Sequence, residues 1–84
     1  MFTDFITAAL NEARYEILPE DNSIYGEIPI CPGVYANAMT FEECRKEIIE
    51  VLEEWIIFRL QRNLDIPIIN NIDLNIRETV DAVY

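Results

Sequence analysis

One long amphipathic helix, predicted from Thr40 to Arg62, constrains this chain more than any other feature. Its apolar residues recur at intervals of three and four, which places them on one face of an α-helix. Thr40 followed by Glu43 has the form of a capping box, Asn63 suits the left-handed end of a helix, and Pro67 prevents its continuation. The rest of the chain must cover the apolar stripe, which comprises Phe41, Cys44, Ile48, Val51, Leu52, Trp55 and Phe58.

The residues before this helix predict a short helix and three strands. Residues 1–13 have helical spacing, but a helix of that length needs another surface to lie on. Over residues 14–38 the period changes to two: RYEIL and IYGEI flank the turn PEDNS as a hairpin, and VYANA follows the bend PICPG as a third strand. The side chains expected to face the long helix are Ile24, Ile28, Val34 and Ala36.

The residues after the helix predict one more strand, over residues 71–77, with Ile72, Leu74 and Ile76 on its apolar side. Residues 78–84 predict no definite structure. The expected fold is therefore a single α+β domain over residues 1–84. A three-stranded antiparallel sheet packs on one long helix (40–62), with a short N-terminal helix and a C-terminal fourth strand.

The charge of the chain restricts its partners. Sixteen acidic residues against six basic ones leave a net charge of -10, which repels the phosphate backbone of nucleic acids and favours a basic protein partner. No apolar run reaches the roughly 18 residues of a membrane span, and no basic, apolar leader begins the chain. We expect a cytoplasmic protein without direct nucleic acid or membrane binding.

Candidate catalytic and metal-binding groups do not converge in this sequence. Histidine, the commonest general base, is absent. Cys44 lies on the apolar stripe and Cys31 has no nearby base, so both are expected to be structural thiols. The helix carboxylates are expected to form a solvated or partner-facing surface. We therefore expect no enzymatic activity, no metal and no cofactor. These carboxylates are Glu42, Glu43, Glu47, Glu50, Glu53 and Glu54.

Tyr25, Glu27 and Tyr35 alternate onto the sheet face that points away from the long helix. Aromatic side chains beside a carboxylate are typical anchors of protein interfaces, which makes these three residues the candidate partner-binding site. The N-terminal helix could instead cover them, and the sequence favours neither alternative. Arg14 is the expected cross-strand neighbour of Glu27.

The second half of the long helix is apolar on nearly all sides. A monomer of this size cannot bury so much apolar surface, so we expect a homodimer or a tetramer. Strand four could also pair with the sheet of a neighbour. The residues expected at this oligomer interface are Ile49, Ile56, Ile57, Leu60, Ile72 and Leu74.

The segment YGEIPICPGVYANAMTFEECRKEIIEVLEEW resembles the HicB-like antitoxin family. The family pattern is a strand, a Pro-Gly turn, a strand of small residues and T-x-E-E before an amphipathic helix. Pro32, Gly33, Thr40, Glu42 and Glu43 match it, although residues 37–39 lack the glycine that often precedes the helix.

The resemblance implies a partly RNase H-like domain that binds and neutralises a small basic ribonuclease toxin of the HicA kind, if one is encoded nearby. Many members of that family also carry a C-terminal DNA-binding segment, but few residues follow Pro67 in this sequence, so we expect a short form without one. The alternative is an orphan, homo-oligomeric HicB-like interaction module with no toxin and no catalytic activity.

Overall fold

The computed structural model describes residues 2–75, and the elements follow the order α, β, β, β, α. The two helices are α1 (Phe2–Asn11) and α2 (Phe41–Gln61), and the three strands are β1 (Arg14–Ile17), β2 (Ile24–Glu27) and β3 (Tyr35–Ala38). Both strand pairs are antiparallel, in the order β1-β2-β3. The predicted α+β architecture, with a three-stranded sheet on one long helix and a short N-terminal helix, is confirmed.

Helix α2 begins and ends where its local sequence predicts, within one residue. The Oγ1 atom of Thr40 accepts a hydrogen bond from the Glu43 amide at 3.1 Å, so Thr40 is the N-cap. Asn63 has a φ of 56°, the left-handed conformation that ends helices. The Leu64 amide donates to the Arg59 carbonyl at 2.8 Å and closes the last turn.

The hydrophobic core lies between the sheet and α2, and α1 packs against α2. Helix α2 lies over β2 and β3 and buries a line of residues spaced by four: Cys44, Ile48, Leu52 and Ile56. The other buried apolar residues are Phe5, Ala8, Ala9, Ile28, Cys31, Val34, Ala36, Ile66 and Ile69.

Two residues of the predicted stripe are not core residues. Phe41 and Phe58 are 51% and 47% exposed, which corrects their assignment. Phe58 lies two positions beyond Ile56, so it points about 200° away around the helix. Phe41 occupies the first helical position, where its ring lies 4.5 Å from that of Tyr15.

The predicted bend before β3 is a pair of tight turns. The Cys31 amide donates to the Ile28 carbonyl at 2.9 Å, and the Val34 amide donates to the Cys31 carbonyl at 3.0 Å. Gly33 has a φ of 100°, which favours glycine. The Trp55 indole Nε1 donates to the Pro32 carbonyl at 3.0 Å, which ties the bend to α2.

The predicted fourth strand is wrong for residues 71–75. Asn70 and Asn71 both have positive φ, at 50° and 64°, so the chain reverses and Ile69 forms an isolated antiparallel bridge with Ile72. The Asn75 side chain then bonds both backbone groups of Ile66, at 2.7 and 2.9 Å. The remaining residues predicted for this strand, 76 and 77, and the tail 78–84 lie outside the described residues.

Candidate partner-binding face

The sheet face that points away from α2, here called the outer face, carries two side chains from each strand. The pairing register places Arg14 opposite Glu27 and Glu16 opposite Tyr25. It also places Tyr25 opposite Asn37 and Glu27 opposite Tyr35. Directly opposed side chains share a face, so these six residues form one surface. The expected neighbours Arg14 and Glu27 are confirmed as cross-strand partners.

Tyr25, Glu27 and Tyr35 form a connected group at the middle of the outer face. The Tyr25 hydroxyl donates a hydrogen bond to Glu27 Oε1 at 3.1 Å. The Tyr25 and Tyr35 rings lie 6.3 Å apart with an interplanar angle of 30°. Tyr35 is 58% exposed, whereas Tyr25 and Glu27 are half-buried. The sheet thus presents two neighbouring aromatic rings with a carboxylate beside them.

Two carboxylates lie near the Tyr25 phenol. Burial raises the pKa of Tyr25 most, and its hydrogen bond to Glu27 and the nearby charges of Glu27, Tyr35 and Glu16 raise the pKa further. A neutral phenol beside two carboxylates favours cations at this surface. Glu16 was not among the candidate residues, although the alternation of RYEI already places it on this face.

Asn37 fixes the end of the outer face. Its Nδ2 donates to the Ser23 hydroxyl and to the Ile24 carbonyl, both at 2.9 Å. The Ser23 amide donates to the Asp21 carboxylate at 3.0 Å, and Ser23 is buried. These bonds tie the hairpin turn to β3 and hold the strands that carry the tyrosines.

The N-terminal helix does not cover these tyrosines. Among the described elements, α1 packs against α2 on the opposite side of the sheet, where Phe5 is fully buried. Of the two alternatives left open by the sequence, cover by α1 is therefore excluded, and residues 2–75 leave the outer face accessible.

The structure divides the residues expected at an oligomer interface. Ile56 is fully buried in its own subunit, which corrects its assignment: it continues the line of four-residue steps through Ile48 and Leu52. Within residues 2–75, Leu60, Ile72 and Leu74 are half-buried against the core, and Ile49 is half-buried. Ile57 is 51% exposed.

The two cysteines are buried free thiols. Burial raises the pKa of Cys31 to about 11 despite the nearby Arg59 charge, and burial followed by the Glu47 charge raises the pKa of Cys44. Such thiols are poor nucleophiles at neutral pH. In residues 2–75 no group of three or more His, Cys, Asp or Glu side chains could hold a metal ion. No helix among these residues is long and apolar enough to cross a membrane.

Comparison with known proteins finds a family and a structural neighbour. The sequence model described as UPF0150-like matches residues 4–67. A protein of Thermus thermophilus with a known crystal structure is 32% identical, with a TM-score of 0.81, and the alignment covers 92% of this chain and 95% of that one. No curated protein matches the chain.

Proposed function

The chain belongs to the UPF0150-like family, the family of HicB-like, antitoxin-type proteins, and from this premise we propose that it is an antitoxin. It binds and neutralises a small basic ribonuclease toxin of the HicA kind by covering the basic surface of that toxin. The protein acts in the cytoplasm as a binding protein with no catalytic activity, cofactor or direct contact to nucleic acid. The same proposal assigns its sheet and helices to the partly RNase H-like fold of HicB.

The open outer face is the observation that carries this proposal. Tyr35 and Tyr25 offer aromatic surface, and Glu27 and Glu16 offer carboxylates beside the rings. Lys and Arg side chains of a partner bind such a surface through ion pairs and cation–π contacts. The net charge of -10 also speeds the approach of a basic protein.

Co-expression with the product of an adjacent reading frame that encodes a small basic protein tests the proposal. We expect co-purification of the two proteins and rescue of growth from the toxicity of that product. Tyr35→Ala and Glu27→Gln on the outer face should each weaken capture. Glu50→Gln removes one charge from an exposed position of α2 and serves as the matched control.

The antitoxin proposal fails if the wild-type chain neither rescues growth nor co-purifies with that product. If capture succeeds but Glu50→Gln weakens it as much as Glu27→Gln does, the outer face is not the binding surface. In that case the partner binds through the overall charge or through the carboxylates of α2.

The second candidate is an orphan, homo-oligomeric module, and exposed apolar side chains favour it. Ile57 and Phe58 on α2, and Leu64 and Ile68 after it, are each more than two-fifths exposed. Such a surface suits a homodimer or a tetramer. A genome that encodes no basic neighbour beside this chain, together with a stable oligomer of the isolated protein, would support this candidate over the antitoxin.

A further inference from the structure

Strand β1 is an edge of the sheet that the helices leave partly uncovered. In residues 2–75 it pairs with β2 on one side only, and α2 lies over β2 and β3. Ile17 at its end is 65% exposed although it points to the inner side of the sheet. A shallow apolar pocket beside this edge is lined by Tyr15, Glu16, Ile17, Ile24 and Phe41. An edge of this kind is open to pairing with another strand.

The hydrogen-bonding pattern shows which backbone groups face the open edge. The Leu18 amide donates to the Ser23 carbonyl at 2.8 Å, so Leu18 points toward the β2 side. Alternate residues of an antiparallel strand point to opposite neighbours, so Arg14 and Glu16 also bond to β2. Tyr15 and Ile17 therefore direct their amides and carbonyls to the open edge.

A second copy of β1 can pair at this edge in few symmetric registers. In a two-fold pairing centred on Arg14 or on Glu16, that residue faces its own copy, and like charges directly opposite are destabilising. A pairing centred on Ile17 places Pro19, which has no amide hydrogen, opposite Tyr15. A pairing centred on Tyr15 places each Arg14 opposite the Glu16 of the other copy.

The register centred on Tyr15 also agrees with the backbone pattern. Tyr15 faces the open edge, so the two copies of Tyr15 exchange both of their backbone hydrogen bonds. Arg14 and Glu16 then occupy the positions without such bonds, where opposed side chains approach most closely. Charge, backbone direction and the missing amide hydrogen of Pro19 thus select one register.

We propose that this edge binds a second copy of the chain, with the two β1 strands antiparallel and centred on Tyr15. The dimer has one continuous six-stranded sheet, and each Arg14 pairs with the Glu16 of the second copy. Ile17 and Phe41 of both copies cover the apolar pocket beside the edge. The outer faces join into one surface with two sets of Tyr25, Glu27 and Tyr35, so the dimer can hold two basic partners.

A charge-exchange experiment tests this pairing. Arg14→Glu alone and Glu16→Arg alone each replace two opposite-charge pairs of the dimer with two like-charge pairs, so each should weaken self-association by roughly tenfold or more. An equimolar mixture of the two variants restores both opposite-charge pairs. We therefore expect the mixture to form a heterodimer, measured by native mass spectrometry and sedimentation equilibrium of the full chain.

Matched variants separate this edge from other surfaces. Because Arg14 also lies opposite Glu27 in its own sheet, Glu16→Arg, whose own neighbour is Tyr25, tests the pairing without that contact. Circular dichroism confirms that each variant is folded. Ile57→Lys changes the exposed surface of α2 and should leave the dimer intact.

Several results would overturn the proposal. These are a wild-type monomer at micromolar concentration, single variants that associate as tightly as the wild type, or a mixture that yields no heterodimer. Dissociation by Ile57→Lys, with Glu16→Arg still dimeric, would instead assign self-association to α2.

Discussion

The two faces of the same sheet differ in what completes them. Along β2 and β3 the inner face is completed within the chain: Ile28, Val34 and Ala36 are buried under α2 together with Ile48 and Leu52. On the outer face, no element within residues 2–75 covers Tyr25, Glu27 and Tyr35, and Tyr35 is mostly exposed. Successive residues of each strand supply these two faces in turn. Stability therefore resides in one set of alternating residues and recognition in the other, so each set can change with little effect on the other.

Gly26 shows how tightly the inner face is packed. A Cβ at this position would lie 2.6 Å from Ile48 Cδ1 and 2.8 Å from the Tyr15 ring. The side chains of β1 and α2 thus meet directly over the backbone of β2. The outer face has no equivalent restriction at Tyr35, whose side chain is mostly exposed.

Shortening a buried side chain of the inner face should cause the largest loss of stability. Ile48→Ala removes a fully buried side chain and should lower the free energy of unfolding by about 2 to 5 kcal/mol. Urea denaturation measures the loss. Ile57→Ala, an exposed position on the same helix, is the control and should change stability by less than about 0.5 kcal/mol. Equal losses for the two variants would show that the helix is not oriented as described.

Alkaline pH should lower the free energy of unfolding through the buried thiol of Cys31. Burial raises the pKa of Cys31 from 9.0 to about 11, so the folded state holds a proton that the unfolded state releases in this interval. The protonated thiol therefore contributes its full stabilisation below pH 9. This contribution to the free energy of unfolding, about 2 to 3 kcal/mol in total, is lost as the pH rises to about 11.

Urea denaturation across pH 8 to 11, in a reducing buffer, measures this loss. Cys31→Ala should flatten the alkaline decline, although ionisation of Cys44, Tyr15 and Tyr25, whose pKa values are also raised, leaves part of it. An unchanged decline in Cys31→Ala would show that this thiol ionises at its ordinary pKa.

Adding a methyl group at Gly26, on the inner face, should cause an intermediate loss of stability. Gly26→Ala forces the Ile48 and Tyr15 side chains to shift and should cost about 1 to 2 kcal/mol, after the gain from a stiffer unfolded chain. Ile48→Val removes the Cδ1 atom that the new methyl group meets. In a double-mutant cycle, Ile48→Val should therefore destabilise the Gly26→Ala variant less than it destabilises the wild type. Strict additivity would mean that the two groups do not touch.

The local parts of this fold could be predicted from the sequence. The Thr40 cap, the Asn63 end and the alternation of Tyr25 and Glu27 depend on neighbours within a few residues. The spacing of apolar residues marked a wide stripe on α2 but could not select its buried line. Ile56, outside the predicted stripe, is buried and Phe58, within it, is exposed because the sheet contacts only one side of α2.

One error came from an unrecognised local turn, and one undecided point came from tertiary packing. Alternation over IDLNI resembled a strand, but the turn at Asn70 and Asn71 pairs Ile72 with Ile69 rather than with the sheet. The sequence also could not place α1, whose apolar stripe fits either side of the sheet equally well. It therefore left the outer face undecided until the packing of Phe5 was known.

The smallest expected effect lies on the outer face, where Glu27→Gln removes a charge without changing the shape of the surface. Stability at pH 7 should change by less than about 0.5 kcal/mol. The pKa of Tyr25 should fall toward its ordinary value, because the Glu27 charge no longer opposes the phenolate and the hydrogen bond to a charged acceptor is lost. Part of the rise in the Tyr25 pKa should remain because burial, its largest cause, is unchanged.

NMR titration of the tyrosine ring carbons, with Glu50→Gln as control, measures this change in the Tyr25 pKa. A Tyr25 pKa unaffected by Glu27→Gln would show that the two residues are not coupled, and the outer face would then be a set of separate side chains rather than one binding surface.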